Sequence, residues 1–294
     1  MDFGPFLLLA SLEGLVQAAV LSLTALGLCL TFGVMRVVNV SHGEFYMLGA
    51  VIAWWAASIL GPRYALSGYL LALLLAPCIV GLLALASERF VLRSLNYEPE
   101  ATIVATIGIL YIIQQTVLLS FGPDAKPVNP PFYFRIDFPW FGYSGYKLFV
   151  IGAAIVVLSG TWYVLARTRV GLIMRATQLD RDMAQAFGIP ILRVYAYVFA
   201  IGAMYAALAA VLIVPIRQAH YLMGADPLLM SFIVVIIGGL GSVRGTIVAA
   251  VLIGMSDGII SMFFSPTLAK MVSTSLVALV LVFRPHGLFG VKTA

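Results

Sequence analysis

The stretch FGVMRVVNVSHGEFYMLGA, residues 32–50, carries four polar or charged side chains between two apolar runs. Arg36, Asn39, His42 and Glu44 stand out because the 294-residue chain is 62% hydrophobic and only 10% charged. A soluble domain carries about 25% charged residues, so this composition indicates a chain that is largely dissolved in lipid. Ionisable side chains at membrane depth are costly and mark functional sites. We therefore interpret the stretch as a functional interruption between two membrane segments.

Continuous apolar runs account for most of the chain. They lie at residues 12–31, 45–60, 66–86, 101–120, 147–166, 194–214, 227–241, 246–263 and 268–283. A helical crossing needs about 20 apolar residues, with a lower limit of roughly 17, so the run 227–241 is short. The run 45–60 reaches this length only if its helix begins inside the opening stretch. The pattern predicts an all-α integral membrane protein, a polytopic helical bundle of eight or nine passes that forms one transmembrane domain over residues 1–294.

Basic residues indicate the orientation of the bundle. The loop 167–193 contains Arg167, Arg169, Arg175, Arg181 and Arg193. Because cytoplasmic loops carry an excess of lysine and arginine, this loop is predicted to be cytoplasmic. The Pro-rich and aromatic loop 121–146 is then external, as an interfacial lid or a docking surface for an external partner. The N-terminus is external too, and Arg284 favours a cytoplasmic C-terminus. This requires an odd number of crossings, so either 227–241 crosses or one terminus is misassigned.

A second interruption lies in the other half of the chain. The segment GGLGSVRG, residues 238–245, places four glycines between two apolar runs and is expected to break a helix. Gly-interrupted hydrophobic segments in two halves of a chain point to a transport pathway near the bilayer midplane. We therefore expect broken or short membrane segments near 32–44 and 238–245. The residues assigned to the translocation path or gate are Arg36, Asn39, His42, Gly43, Glu44, Gly238, Gly239, Gly241, Ser242 and Gly245.

Several polar residues and glycines also have purely structural interpretations, which the sequence leaves open. Asn39 and His42 can form hydrogen bonds between helices. Glu44 can pair with the arginine of the same stretch, or stabilise the start of the next helix, where negative charge is favourable. Gly49 and Gly254 are expected to let helices pack closely.

The cytoplasmic loop combines charge with helical periodicity. Apolar residues between Ile173 and Phe187 recur at intervals of three and four, which predicts one amphipathic helix over about 172–187. Gly188 and Pro190 supply its stop. Such a helix is too polar to cross the bilayer. From the residues alone, it either lies on the membrane surface, held by its arginines, or docks to a soluble partner.

Motifs for catalysis are absent from the sequence. Its three histidines are far apart and no His-Glu-x-x-His occurs, which argues against a zinc hydrolase. No glycine-rich P-loop for ATP phosphates occurs either. Ser144 lies in a Pro-rich loop, without the ordered histidine base that a membrane serine protease needs. We predict a transport protein, not an enzyme, with no metal or cofactor site of its own. Its net charge of +5 reflects orientation in the membrane and not nucleic-acid binding.

Five motifs in the same order resemble those of branched-chain (hydrophobic) amino-acid ABC transporter permeases, the shorter of the two permease types. They are the opening stretch, ATIGILYIIQ (105–114), GLIMRATQLDRDMAQAFGI (171–189), GGLGSVRG and the terminal FRPHGLFG (283–290). The similarity extends from about residue 12 to residue 290. One departure is mild, since Glu44 stands where many members carry aspartate.

The resemblance implies one of two transmembrane subunits of an ATP-driven importer in the bacterial cytoplasmic (inner) membrane. Two cytoplasmic ATPases would bind ATP and Mg²⁺, and a periplasmic substrate-binding protein would deliver solute to the external face. The second permease subunit would form a heterodimer with this chain, with a homodimer left open. The loop residues that match the family's ATPase-docking motif are Gly171, Arg175, Ala176, Asp180, Ala184 and Gly188.

The expected cargo is a branched-chain or other hydrophobic amino acid. Relatives with the same motifs resemble importers of urea, amides and aromatic acids, so these solutes are alternatives. A different class of protein, an ATP-independent channel or carrier for a small polar solute, would need neither a binding protein nor a basic docking helix.

Overall fold

Helices form nearly all of the regular structure. The computed structural model describes residues 3–61, 64–284 and 287–289, so Pro285, His286 and Gly290 of the terminal motif lie outside the described residues. The helices are α1 (Phe3–Met35), α2 (His42–Leu60), α3 (Ala65–Ser87), α4 (Pro99–Phe121), α5 (Gly145–Arg167), α6 (Arg169–Leu179), α7 (Arg181–Ala186), α8 (Ile191–Ile213), α9 (Ala225–Gly238), α10 (Val243–Phe263) and α11 (Pro266–Phe283). A π-helical turn, Glu88–Leu92, continues α3, and the antiparallel strands β1 (Arg135–Asp137) and β2 (Gly142–Ser144) form a hairpin.

Every apolar run of the sequence corresponds to one of these helices. Among the described residues, seven helices are long and apolar enough to cross a membrane, namely α1 to α5, α8 and α10. α9 is a shorter apolar helix of 14 residues, and α11, with 18 residues, packs beside α9 and α10. At 1.5 Å per residue α9 measures about 21 Å, less than the roughly 30 Å of a bilayer core. The predicted all-α polytopic membrane fold is confirmed.

The bundle is built around α1, which packs along α10 and α8. Small residues make these contacts close. Gly254 of α10 meets the backbone of Ala18 in α1, and Gly49 of α2 meets the backbone of Ala207 in α8. In lipid, helices associate largely through such close backbone packing. The predicted packing roles of Gly49 and Gly254 are confirmed.

Two apolar helices begin inside the bundle instead of at its surface. α2 starts beside the middle of α1, where the His42 ring is bonded to the Thr24 carbonyl. α9 starts at the same depth, because the backbones of Gly43 and Gly224 touch. The starts of α2 and α9 therefore meet in the interior.

These two interior helices run in opposite directions. Trp54 of α2 packs edge-on against Phe121, at the end of α4 that leads into the loop 121–146. α9 instead ends beside the loop 167–193, which is predicted to be cytoplasmic and which we call the cytoplasmic loop. There the carbonyl of Gly241 contacts α6. The first return segment, residues 36–41, and the second return segment, residues 214–224, bring the chain back into the bundle before each helix starts. Opposed broken segments of this kind are typical of transporters built from inverted repeats.

The loop 121–146, which is predicted to be external and which we call the external loop, is held on the bundle by backbone pairing. Lys126 and Ala219 exchange two backbone hydrogen bonds, of 2.7 and 2.9 Å, so the loop 121–146 pairs with the second return segment. The Lys126 ammonium also lies over the Trp54 ring. Ser144 ends β2 and directly precedes α5. The loop is thus an ordered cover over the place where the chain re-enters the bundle.

The cytoplasmic loop forms two helices, so the prediction of one helix over 172–187 is wrong. α6 ends at Leu179, and Asp180 takes an extended backbone conformation from which α7 starts. The Asp180 Oδ1 accepts hydrogen bonds from the backbone N–H groups of Asp182 (2.9 Å) and Met183 (3.0 Å). These N–H groups have no carbonyl partner within α7, and a capping carboxylate satisfies them. The cap ends one helix and begins the next.

Candidate functional site

The first interruption begins at Arg36, where the chain leaves α1. Its backbone is left-handed, with φ at 56°, a conformation that is costly for a non-glycine residue and is found at functional sites. The Arg36 N–H still bonds to the Phe32 carbonyl at 2.9 Å. Its guanidinium Nη2 donates to the Gln178 carbonyl of α6 at 3.2 Å. Arg36 therefore joins the end of α1 to the cytoplasmic loop.

Asn39 holds the first return segment in shape. Its side chain is buried, and its Oδ1 accepts hydrogen bonds from the Ser41 N–H at 3.1 Å and the Ser41 hydroxyl at 2.7 Å. The Val40 N–H donates to the hydroxyl of Thr106 in α4 at 3.2 Å. Backbone groups without a helical partner must find such bonds inside a membrane protein. The Asn39 side chain thus bonds within the segment and not between helices.

His42 and Glu44 lie in the first turn of α2. His42 Nε2 lies 2.9 Å from the Thr24 carbonyl, so this nitrogen carries the proton and donates it to the bond. This is the interhelical hydrogen bond expected as the structural alternative for His42. Glu44 is buried, at a helix start where negative charge is favourable. Among the described residues no cation pairs with Glu44, so the expected pair with Arg36 does not form.

Gly224, which sequence reasoning missed, is the partner of Gly43. A Cβ on Gly43 would meet the Gly224 carbonyl and the Leu228 side chain, and a Cβ on Gly224 would meet the Gly43 carbonyl. The two helix starts therefore touch backbone to backbone, where only glycine fits. The available signal was the polar stretch VPIRQAHYLMG, 214–224, between two apolar runs.

The GGLGSVRG segment forms a tight turn between α9 and α10. Gly239 and Gly241 have φ values of 101° and 80°, which favour glycine. The Ser242 hydroxyl caps α10 by accepting a hydrogen bond from the Gly245 N–H at 3.2 Å. Gly238 and Gly245 touch through their backbones. The turn therefore holds the two helices together at their cytoplasmic ends.

Gln178 of α6 connects this turn to the end of α1. Its side-chain Nε2 donates a hydrogen bond of 3.1 Å to the Gly241 carbonyl. Its main-chain carbonyl accepts the hydrogen bond from Arg36. Gly33 completes the contact, because a Cβ there would lie 2.8 Å from the Cα of Gly241. A cavity of about 310 Å³, lined in part by Gln178 and Arg175, lies beside this junction. No role for Gln178 was predicted from the sequence, since a glutamine on an amphipathic loop is expected to face solvent.

The predicted path residues thus occupy two depths. Arg36 meets the turn that contains Gly241 at the cytoplasmic end of the bundle. His42, Gly43 and Glu44 lie deeper, against α1 and the start of α9. The second return segment, and not GGLGSVRG, is therefore the counterpart of this deeper group.

The predicted docking residues have different surroundings. Gly171 and Ala184 are buried within the subunit, and a Cβ on Gly171 would collide with the backbone of Leu165. Arg175 is exposed, and its Nη1 donates to the same Leu165 carbonyl. Ala176 is half-buried. These residues fix α6 against the end of α5.

Several large apolar side chains of the cytoplasmic loop are exposed beside its charged residues. Leu179, Met183 and Phe187 are 78%, 59% and 84% exposed. Asp180 and Gly188, with φ at 82°, mark the two ends of α7, between which this surface turns outward. We call these three side chains the loop apolar surface. Large exposed apolar side chains of this kind mark a site of interaction with a protein or a membrane surface.

The buried carboxylate of Glu88 holds the start of α8, where the cytoplasmic loop ends. Glu88 is fully buried, and Arg93 Nη2 lies 3.3 Å from its Oε2 and 3.4 Å from the Leu192 carbonyl in α8. The Tyr97 hydroxyl also donates to Glu88. Burial raises the pKa of the Tyr97 hydroxyl, and its hydrogen bond to Glu88 raises that pKa further. The first turn of α8 is thereby anchored to the end of α3.

Comparison with known proteins gives this architecture a family. The model of the "Branched-chain amino acid transport system / permease component" family matches residues 10–281. BraD, a high-affinity branched-chain amino acid transport system permease protein of Pseudomonas aeruginosa, is 28% identical over 297 residues, covering 95% of this chain and 94% of BraD. LivH, a permease protein of the same description from Escherichia coli K12, is 27% identical over 293 residues, covering 95% of this chain and 94% of LivH.

A more distant organism contributes a third relative. A probable branched-chain amino acid transport permease protein LivH of Methanocaldococcus jannaschii is 26% identical, covering 95% of this chain and 92% of that protein. No solved structure matches the chain significantly. The chain belongs to the family of permease components of branched-chain amino acid transport systems.

Proposed function

We propose that this multi-pass protein of the cytoplasmic membrane is a permease subunit of an ABC importer for branched-chain or other hydrophobic amino acids. A second permease subunit would complete the membrane part. Two cytoplasmic ATPases would bind ATP and Mg²⁺, and a periplasmic binding protein would deliver the solute. This chain would itself hold no cofactor and catalyse no reaction. Its family membership supports the proposal.

The observation that carries the mechanism is the position of Gln178. It lies on α6 in the loop proposed to meet the ATPases, and it bonds both to Arg36 at the end of α1 and to Gly241 before α10. A displacement of α6 would therefore pull on the cytoplasmic ends of two membrane helices.

The loop apolar surface is the proposed seat of an ATPase. Leu179, Met183 and Phe187 would enter a groove on that subunit, with Arg175 and Asp180 shaping the loop behind them. Gly171 and Ala184 would act by letting α6 and α7 pack tightly on the bundle. Burial of exposed aromatic and aliphatic side chains supplies most of the free energy of such contacts.

Transport would follow from alternating access. ATP binding would draw the two ATPases together, and the docked loops would move with them. Differential contact with the two states of the ATPases would shift the membrane helices between an outward-open and an inward-open arrangement. The interior starts of α2 and α9, next to His42, Gly43 and Glu44, would lie beside the path, as broken segments do in other transporters. The turn at Gly238–Gly245 would act as part of the cytoplasmic gate.

Reconstitution tests this function. The tagged chain is co-expressed with the ATPases, second permease and binding protein encoded beside it, purified, and placed in proteoliposomes with labelled leucine. We expect ATP-dependent accumulation that requires the binding protein and is reduced by unlabelled isoleucine and valine. Accumulation that only urea, amides or aromatic acids reduce would reassign the cargo. Equilibration of solute without ATP or binding protein would instead support a channel or carrier.

A further inference from the structure

Charged side chains line a cavity in the outer part of the bundle. It is an open cavity of about 80 Å³ between α1, α9, α10, α11 and the second return segment, with one residue each from α2 and α8 in its wall. Its polar lining is Gln17, Tyr46, Arg217, Asp226, Asp257 and Lys270. Two of the charges are positive and two are negative, so the lining is neutral overall but strongly polar.

The cavity lies against the interior starts of α2 and α9. Thr24, whose carbonyl receives the His42 hydrogen bond, forms part of its wall. Asp226 belongs to the first turn of α9. Asp257 lies about two-thirds of the way along α10, toward its external end, and Lys270 lies in the external part of α11. These charges are therefore within the membrane-crossing part of the bundle, on the external side of the helix starts.

Only two of the four charged side chains in this lining form an ion pair with each other. Lys270 Nζ lies 2.6 Å from Asp226 Oδ2. Among the described residues, neither Arg217 nor Asp257 forms an ion pair. The Arg217 side chain is exposed and Asp257 is half-buried, and charges at membrane depth are costly unless they face water or a polar solute. The pair Arg217 and Asp257 therefore marks a surface that does not face lipid.

We propose that this cavity receives the charged end of a zwitterionic amino acid, with Arg217 binding the carboxylate and Asp257 binding the ammonium group. The inference rests on the proposed function and deepens it, because it names the chemistry of the solute recognised inside the membrane. Both solute charges need partners of opposite sign once they leave water. An arginine guanidinium matches a carboxylate through two parallel hydrogen bonds, and a carboxylate accepts bonds from an ammonium group.

The size of the cavity indicates that this subunit supplies only part of the site. Enclosed ligand sites typically measure about 300–1,000 Å³, well above the value of about 80 Å³ here. The cavity suits the amino and carboxylate groups but not a complete leucine with its side chain. We infer that the second permease subunit closes the site and receives the apolar part of the solute.

The test uses the complete reconstituted transporter and labelled leucine. Arg217→Gln and Asp257→Asn are expected to lower the initial rate of uptake about 10-fold or more, since each removes a charge-assisted contact. Arg217→Lys and Asp257→Glu keep the charge and should retain more uptake than the neutral variants. The yield of assembled complex and the ATP hydrolysis stimulated by the binding protein should stay near those of the wild-type complex.

Matched controls come from the region between α3 and α4. Arg89 and Glu100 are exposed and lie away from the cavity, so Arg89→Gln and Glu100→Gln each remove one charge there and should leave uptake unchanged. The inference is overturned if both neutral variants transport at the wild-type rate, or if uptake falls only in proportion to the assembled complex. A wild-type complex without ATP-dependent uptake contradicts the proposed function itself, and this result is read before any variant is compared.

Discussion

The side-chain amide of Gln178 donates a hydrogen bond of 3.1 Å to the Gly241 carbonyl, which joins the cytoplasmic loop to the turn between α9 and α10. The main-chain carbonyl of Gln178 accepts a second hydrogen bond, from the Arg36 side chain at the end of α1. Gln178 of the cytoplasmic loop thus contacts both interrupted membrane segments, near 32–44 and at 238–245. Motion of this loop has a direct mechanical route into the bundle.

The first prediction concerns the charges of the cytoplasmic loop. Asp180→Lys removes the cap of α7, worth about 1 kcal/mol, and places a cation at a helix start where it is unfavourable. Arg175→Glu removes the bond from α6 to the Leu165 carbonyl. Each variant should lower ATP-driven leucine uptake ~10-fold while the amount inserted in the membrane, measured by immunoblot, stays unchanged.

Charge reversal at a position outside both proposed docking loops provides the control for these variants. Glu100→Lys changes an exposed residue in the first turn of α4 and should leave uptake intact. Wild-type uptake in Asp180→Lys or in Arg175→Glu would contradict the docking role of this loop.

The second prediction concerns the loop apolar surface. Phe187 is 84% exposed, so truncation to alanine should not destabilise the isolated subunit. If this ring enters a groove on the ATPase, Phe187→Ala should weaken binding of that subunit ~10-fold or more, as loss of a buried aromatic anchor does. The measurement is the fraction of ATPase retained with the permease in size-exclusion chromatography. Tyr133→Ala, at an external residue that is 77% exposed, should retain the ATPase fully. Equal retention in both variants would exclude Phe187 from the interface.

The third prediction concerns the contact between the starts of α2 and α9. Gly43→Ala forces a methyl group against the Gly224 carbonyl, and overpacking of this kind costs roughly 1–3 kcal/mol. The thermal unfolding midpoint of the detergent-solubilised protein should fall. Gly108→Ala in α4 is the matched control, because a Cβ there meets nothing within 4 Å and alanine favours the helix. If the unfolding midpoint of Gly43→Ala is at or above that of Gly108→Ala, the close contact between Gly43 and Gly224 does not contribute to stability.

Membrane helices were predictable because their signal is local. Each apolar run satisfies its own backbone hydrogen bonds and is long enough to be recognised without knowledge of its neighbours. The short run at 227–241 became the 14-residue α9, as its length implied. Gly49 and Gly254 were predictable for the same reason, since small residues in apolar helices have few roles apart from packing.

The contacts that organise the candidate site were less predictable. Gly224 follows a polar stretch that is typical of a surface loop, and its position beside Gly43 arises only when two distant helices start at the same depth. Gln178 pairs with residues far away in sequence, which no local pattern encodes. The capping role of Asp180 could have been predicted, because an aspartate followed by Asp182 is a helix-start signature. The apolar periodicity that continues through this position suggested a single helix instead.

Asp257 also had a signal in the sequence that predicts a functional role. It lies inside the apolar run 246–263, where a lone carboxylate is a functional candidate by default. Its partner Arg217 lies in the second return segment, so their shared cavity became evident only from the fold.

We propose that ATP hydrolysis is coupled to transport through Gln178, and the number of leucine molecules imported per ATP hydrolysed measures this coupling. Gln178→Glu keeps the length of the side chain but replaces the donor to the Gly241 carbonyl with a carboxylate oxygen. In the reconstituted transporter this variant should hydrolyse ATP and retain its ATPases, while the ratio falls ~10-fold. Gln185→Glu makes the same change on the exposed face of α7 and should keep the wild-type ratio. An unchanged ratio in Gln178→Glu would contradict transmission of movement from the cytoplasmic loop through Gln178.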